Sequence, residues 1–307
     1  MTEKFDRREF LRRIGIAGIT TYGLNLVGGD LFGLFNEAEA ASRHTLAIAS
    51  GRSPEEMVKR SIDALGGIGK FVKKGNSVVI KPNIAWARTP AQAANTNPKV
   101  LSAVIKLCQQ AGARRITVVD HTCDNANLAF NLNGARKVCS DTRVRLLAPD
   151  NRNMYRRINI PKGKLLKSDE CVKDVLDADV FINIPIAKVH SAASITASMK
   201  NLMGVNWDRG AWHSSKDLDQ CIADFSTAVK PDLIILDAVR VLLTNGPKGP
   251  GETKDIGKIA ASTDPVAIDS LAATFLGKDP KDIAHIKYAA SMGIGEMSMS
   301  KLNVKKV

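Results

Sequence analysis

Five apolar runs in this sequence end in residues that can carry chemistry. Lys81-Pro82-Asn83 closes one, Asp120-His121-Thr122 a second, and Asn183-Ile184-Pro185-Ile186-Ala187-Lys188-Val189-His190 a third, while Asp237 and Asp264 follow two more. In an open parallel sheet, ligands bind in the crevice beyond the carboxyl ends of the strands, so such endings converge on one pocket. A lysine there is a cation with rotatable donors, suited to phosphate or carboxylate oxygens. If desolvated, its pKa falls far enough for it to act as a base. A lone lysine at a strand end is ordinarily a solvated charge, but Lys81 and Lys188 each stand beside a proline-fixed turn and an amide or imidazole. They are taken as catalytic candidates, with His190 as the acid or base.

The segment from Ser194 to Gly204 reads as helical. Its N-terminal amides could receive an anion, with Thr196 and Lys200 on one face. Asn83, Thr196, Lys200, Asn201 and Asp237 therefore form a ligand-binding set. Asp264, just before Pro265, suits a helix cap, whereas Asp269 is directed along an otherwise apolar helix and joins the ligand-binding residues. His121 and His213 are weaker candidates, and no close His-x-x-x-His pair supports a metal site, so no metal ligands are assigned. Gly246-Pro247-Lys248-Gly249-Pro250-Gly251 lacks the Gly-Lys-Ser/Thr ending of a phosphate loop and reads as a site rim. Neither Gly-x-Gly-x-x-Gly nor Gly-x-Ser-x-Gly occurs, which disfavours dinucleotide binding and serine hydrolysis.

Lys81-Pro82-Asn83, Lys188-Val189-His190 with Thr196 and Lys200-Asn201-Leu202-Met203-Gly204, the Gly246-Pro247 loop and Asp264 to Asp269 together resemble the family called domain of unknown function 362, over about residues 45 to 291. The resemblance implies a setting in redox or anaerobic metabolism, because many relatives carry or neighbour ferredoxin-like iron-sulfur domains. It suggests a separate ferredoxin-like protein as a partner. This chain departs from those relatives: Cys108, Cys123, Cys139, Cys171 and Cys221 are widely spaced, with no Cys-x-x-Cys, so no iron-sulfur motif is present and the cofactor stays open. The odd count leaves at least one free thiol, and the five read as core residues with room for one bridge.

The elements that must position these residues alternate. Thr45–Ser50 reads as a strand, and Ser53-Pro54-Glu55-Glu56 supplies a cap, an N1 proline and first-turn acids for a helix. Further strands are expected at 77–81, 116–120, 144–147, 178–183, 233–237 and 258–262, with helices near 98–111, 170–176, 193–203, 215–229, 265–276 and 280–291. The stretch from Asn151 to Ser168 is expected to be an antiparallel excursion or flap. The pattern gives an α/β fold: a mainly parallel sheet with helices on both faces, as one domain or as two lobes sharing the sheet.

At the N-terminus, Arg7-Arg8 is followed by Phe10-Leu11 and by the uncharged, glycine-containing stretch from Ile14 to Gly29. This is the layout of a twin-arginine signal. Ala38-x-Ala40 suits signal-peptidase cleavage, which divides the chain into a signal at 1–41 and an α/β domain at 42–307. The stretch falls short of the roughly 20 residues of a spanning helix. The expected location is the periplasm or another exported site, reached through the twin-arginine translocase. Of the 44 basic and 31 acidic residues, five and six lie in the signal, leaving 39 and 25 and a net charge of +14. Such a charge favours an anionic small-molecule partner. Few aromatics and no arginine-rich helix speak against nucleic acid. The sequence thus supports an enzyme acting on an anion, or a non-catalytic carrier of an anion or cofactor that serves an iron-sulfur protein.

Overall fold

The computed structural model describes residues 44–215 and 217–307, so the Arg7-Arg8 signal and the boundary at residue 41 lie outside the described residues. The strands are β1 Thr45–Ser50, β2 Ser77–Pro82, β3 Arg115–Val119, β4 Arg145–Leu147, β5 Tyr155–Asn159, β6 Ser168–Val172, β7 Val180–Ile184, β8 Ile186–His190, β9 Ser194–Thr196, β10 Leu233–Leu242, β11 Thr253–Ser262 and β12 Asn303–Lys306. The helices are α1 Pro54–Asp63, α2 Pro98–Gln110, α3 Ala126–Asn133, α4 Ala135–Thr142, α5 Lys173–Leu176, α6 Ser198–Asn201, α7 Arg209–His213, α8 Leu218–Ala228, α9 Pro265–Phe275 and α10 Ala284–Ser291.

The main sheet runs β12-β1-β11-β10-β7-β2-β3-β4, with β8 pairing β10 and β9 pairing β8. Neighbours from β10 through β7, β2 and β3 to β4 are parallel, while β11 is antiparallel to both β1 and β10. Strand alternation divides the apolar side chains between two faces. Val78, Ile80, Val118, Ile182, Leu233 and Ile235 pack under α1 and α2. Val79, Val119, Phe181, Ile234 and Leu236 pack under α8, α9 and α10. The α/β fold with helices on both faces is therefore as expected.

The helix starts follow the sequence signals. Ser53 Oγ accepts from the Glu56 amide, Asn97 caps α2, and Asp264 Oδ1 accepts from the Val266 and Ala267 amides at 2.8 and 2.9 Å. Other expectations change. The helix expected at 193–203 begins instead as β9, because Ser194-Ile195-Thr196 finds strand partners: Lys188 faces Thr196 and Val189 faces Ile195. Only Ser198–Asn201 and a following turn are helical. The helix expected at 170–176 likewise loses its first residues to β6, which pairs with β5 antiparallel, as expected of the 151–168 excursion. Pro185 does not end the run it interrupts, since β8 continues beyond it and pairs with β10. Among the described residues, no helix is long and apolar enough to cross a membrane.

Candidate functional site

The ends of β2 and β3, the β8–β9 pair, α6 and α7 surround a pocket of about 560 Å³. Of the nine candidate residues, seven line it: Lys81, Asn83, Lys188, His190, Thr196, Lys200 and Asn201. Strand parity accounts for Lys81, which follows Val79 onto the face covered by α8, α9 and α10.

An amide network forms the floor. Asn201 Oδ1 accepts from Lys81 Nζ at 3.0 Å and from Asn83 Nδ2 at 2.8 Å, while Asn201 Nδ2 donates to Asn183 Oδ1 at 2.7 Å and to the Lys81 carbonyl. All four hydrogen-bonding positions of this amide are therefore filled, which an aspartate could not do. Asn83 Oδ1 in turn accepts from Lys188 Nζ at 3.0 Å. Gly204 closes the floor, since a Cβ there would overlap the Asp120 carboxylate and the end of Lys81. The Lys-Asn-x-x-Gly spacing thus reflects an amide hub followed by a close backbone approach.

Burial sets the charge states. Lys81 is pushed below the usual lysine range by desolvation, opposed by Asp120, whose Oδ1 lies 2.8 Å from Nζ. Desolvation lowers Lys188 to about 7 and Lys200 to about 8. Lys188 donates to Asn83 Oδ1 and the Ala94 carbonyl, and Lys200 to Met203 Sδ at 2.8 Å. Desolvation depresses His190 strongly, with Lys200 and Lys188 adding to the effect.

Three imidazoles line the pocket, His121, His190 and His213, the last stacked on His190 with ring centres 6.3 Å apart, and the first two differ in tautomer. His190 Nδ1 accepts from the Ala192 and Ala193 amides at 3.0 and 3.3 Å, so its neutral ring carries the proton on Nε2. His121 Nδ1 lies 3.3 Å from the Asn206 carbonyl and 3.1 Å from Tyr155 Oη, whose own hydrogen goes to the Pro149 carbonyl. His121 therefore carries its proton on Nδ1 and keeps a lone pair on Nε2. Its pKa is also lowered, first by desolvation and then by Arg209. His190 is thus a donor, whereas His121, only weakly marked by the sequence, keeps a lone pair able to accept a proton.

Asp237 and Asp269 do not line the pocket. Asp237 shares the parity of Leu233 and Ile235, which turns it to the α1/α2 face. There its carboxylate accepts from the Asn97 amide at 2.7 Å and the Val239 amide at 3.0 Å. Burial raises it to about 6. Asp269 accepts from the Ser198 and Met199 amides, 2.5 and 3.1 Å away, and burial raises it to about 7. The anion expected at the start of this helix is thus the protein's own carboxylate.

Two residues unmarked in the sequence also line the pocket. Arg209 donates to the His121 and Thr122 carbonyls at 2.6 and 2.9 Å and lies 3.3 Å from Cys123 Sγ. Cys123 is three residues beyond Asp120, so the strand-end rule could have reached it. Arg209 sits in a short helix far from any strand end, and no sequence rule marks it. The rim includes Trp86 and Pro247, with Lys248 Nζ 5.4 Å from the Trp86 ring centre. The Gly246–Pro247 and Gly249–Pro250 peptides are cis.

A family model described as Domain of unknown function (DUF362) matches residues 78–274, and the chain belongs to that family. The match includes every pocket residue from Lys81 to Pro247. The chain is 28% identical over 246 residues to a thylakoid-associated protein of Synechocystis sp., covering 76% of this chain and 73% of that protein. Among solved structures, it is similar to the lactate racemase apoprotein from Thermoanaerobacterium thermosaccharolyticum, with a TM-score of 0.45 and 15% identity over 80% of this chain and 56% of that one. It is also similar to a protein from Thermotoga maritima, with a TM-score of 0.44 and 11% identity over 79% of this chain and 60% of that one. The chain therefore spans less than two thirds of either solved neighbour.

Proposed function

We propose that this chain binds a small anion, a carboxylate or phosphate, in the Lys188, Lys200 and Arg209 part of the pocket and acts on it as an enzyme. One observation carries the reading. Lys81, Lys188, Lys200 and Arg209 line one pocket in which, among the described residues, the single carboxylate, Asp120, is already engaged by Lys81. Holding Lys200 and Arg209 as cations there without a carboxylate partner is costly, and an incoming anion relieves that cost. His190 offers Nε2–H to the ligand, and His121 Nε2 is the proton acceptor.

Titration calorimetry of the full chain with inorganic phosphate and with acetate at low salt tests this. Saturable binding, weakened about tenfold or more in Lys200→Gln, is the expected result. Absence of heat with either anion overturns the reading. Binding without turnover across a panel of anions would make the chain a carrier, serving a partner such as a ferredoxin-like protein.

We also propose that Arg7 and Arg8 direct export through the twin-arginine translocase. The likeness to a thylakoid-associated protein is compatible with such a location. Cell fractionation should find Arg7→Lys/Arg8→Lys held in the cytoplasm; a mutant exported like the wild type would refute the assignment.

A further inference from the structure

Three lysines share the pocket, and their hydrogen bonds separate them. An ammonium has three N–H groups to place; a neutral amine has two and a lone pair. Lys81 Nζ meets three acceptors, the Pro82 carbonyl at 2.7 Å, Asn201 Oδ1 at 3.0 Å and Asp120 Oδ1 at 2.8 Å, and is a saturated ammonium. Lys188 Nζ meets two, both neutral: Asn83 Oδ1 and the Ala94 carbonyl. The residue is 1% exposed, and among the described residues no carboxylate lies within ion-pair reach of it. Two acceptors suffice for both hydrogens of an amine, and Lys188 lines the pocket, where its nitrogen can meet a carbonyl carbon.

Resting on the anion-binding reading of the same pocket, we propose that Lys188 is a nucleophile that condenses with the carbonyl of a small 2-oxo carboxylate, whose carboxylate is held by Lys200 and Arg209. The lone pair of Nζ attacks the carbonyl carbon, and the C=O electron pair moves to oxygen, which takes the proton that the attacking nitrogen sheds. The resulting carbinolamine takes a proton from solvent on its hydroxyl and loses water to form an iminium. One amine, one carbonyl and one proton yield one iminium and one water, with no change in oxidation state. The iminium nitrogen keeps one hydrogen, so one of its two acceptors suffices. Burial disfavours the ammonium form of Lys188, and the nearby Lys200 and Lys81 add to that effect against the opposing pull of Cys123 and Asp120.

The test incubates the full chain with pyruvate and sodium borohydride, then applies intact mass spectrometry and peptide mapping. One pyruvate-derived group on Lys188 is expected. It should be absent from Lys188→Met and reduced about tenfold in Lys200→Gln, with the neutral ketone acetone reacting about tenfold more slowly. Labelling spread over surface lysines without preference for Lys188 overturns the proposal. If Lys188→Met does not fold, the mapped site in the wild type and the acetone comparison decide. Calorimetry without borohydride separates the two readings: pyruvate that binds but is not trapped overturns the nucleophile alone, and failure of both pyruvate and phosphate to bind overturns both.

Discussion

Lys81 and Asp120 meet at 2.8 Å with side chains 1% and 2% exposed, and Asp120 also accepts from the Ile84 amide at 2.6 Å. Breaking a buried pair from one side strands the other charge. Asp120→Asn should therefore cost about 3–5 kcal/mol of unfolding free energy in urea titration. Adding Lys81→Met should recover part of that loss. A double variant whose loss equals the sum of the two single losses would show that the pair is not coupled.

Gly204 stands against that same pair, and any side chain there must displace it. Gly204→Ala should destabilise by about 1–3 kcal/mol, as overpacking does. It should also weaken phosphate binding, because Lys81 and Asn201 share the floor. Unchanged melting and binding would mean that the floor yields without cost.

Lys188 gives a pH dependence whose sign can be worked out. Its pKa is about 7 in the folded protein, against the ordinary 10.5. Between those values the unfolded chain binds more protons, so this residue makes stability rise with pH across that window. Below pH 7 both states carry the charge and the full burial cost is present. Urea midpoints at pH 7 and pH 10 should rise more for the wild type than for Lys188→Met. Equal changes would place the Lys188 pKa in the ordinary range.

Cys123 is exposed, whereas Cys108, Cys139, Cys171 and Cys221 are buried. Mass spectrometry should find one alkylation in the native protein and five after unfolding. Anionic iodoacetate should gain on neutral iodoacetamide at Cys123, relative to their ratio on free cysteine, because Arg209 and the lysines attract it. An unchanged ratio would show that the cations exert no net field there.

Much of the site was legible because strand ends are legible. Lys81, Lys188 and His190 followed from apolar runs ending in polar residues, and the capping roles of Ser53, Asn97 and Asp264 from local rules. Asp237 went astray because ending a strand says nothing about which face the side chain takes; one step of parity decides that. Asp269 was misplaced for a different reason. Its partners, the Ser198 and Met199 amides, are 71 and 70 residues away in sequence. The helix that exposes those amides is also shorter than its local pattern implies, since Ser194–Thr196 pairs with β8. His121 was undervalued because its tautomer depends on Asn206 and Tyr155, contacts that only the fold supplies.

The amide hub at Asn201 joins Lys81, Asn83 and Asn183, and through Asn83 it reaches Lys188. Each member fills a bond that another member needs. Replacing one of them alone therefore leaves a partner's bond unfilled, while the side chains of Trp86, Cys123 and Pro247 on the wall take no part in that network. The pocket thus has a floor that tolerates replacement only as a set and a rim whose members are independent of one another.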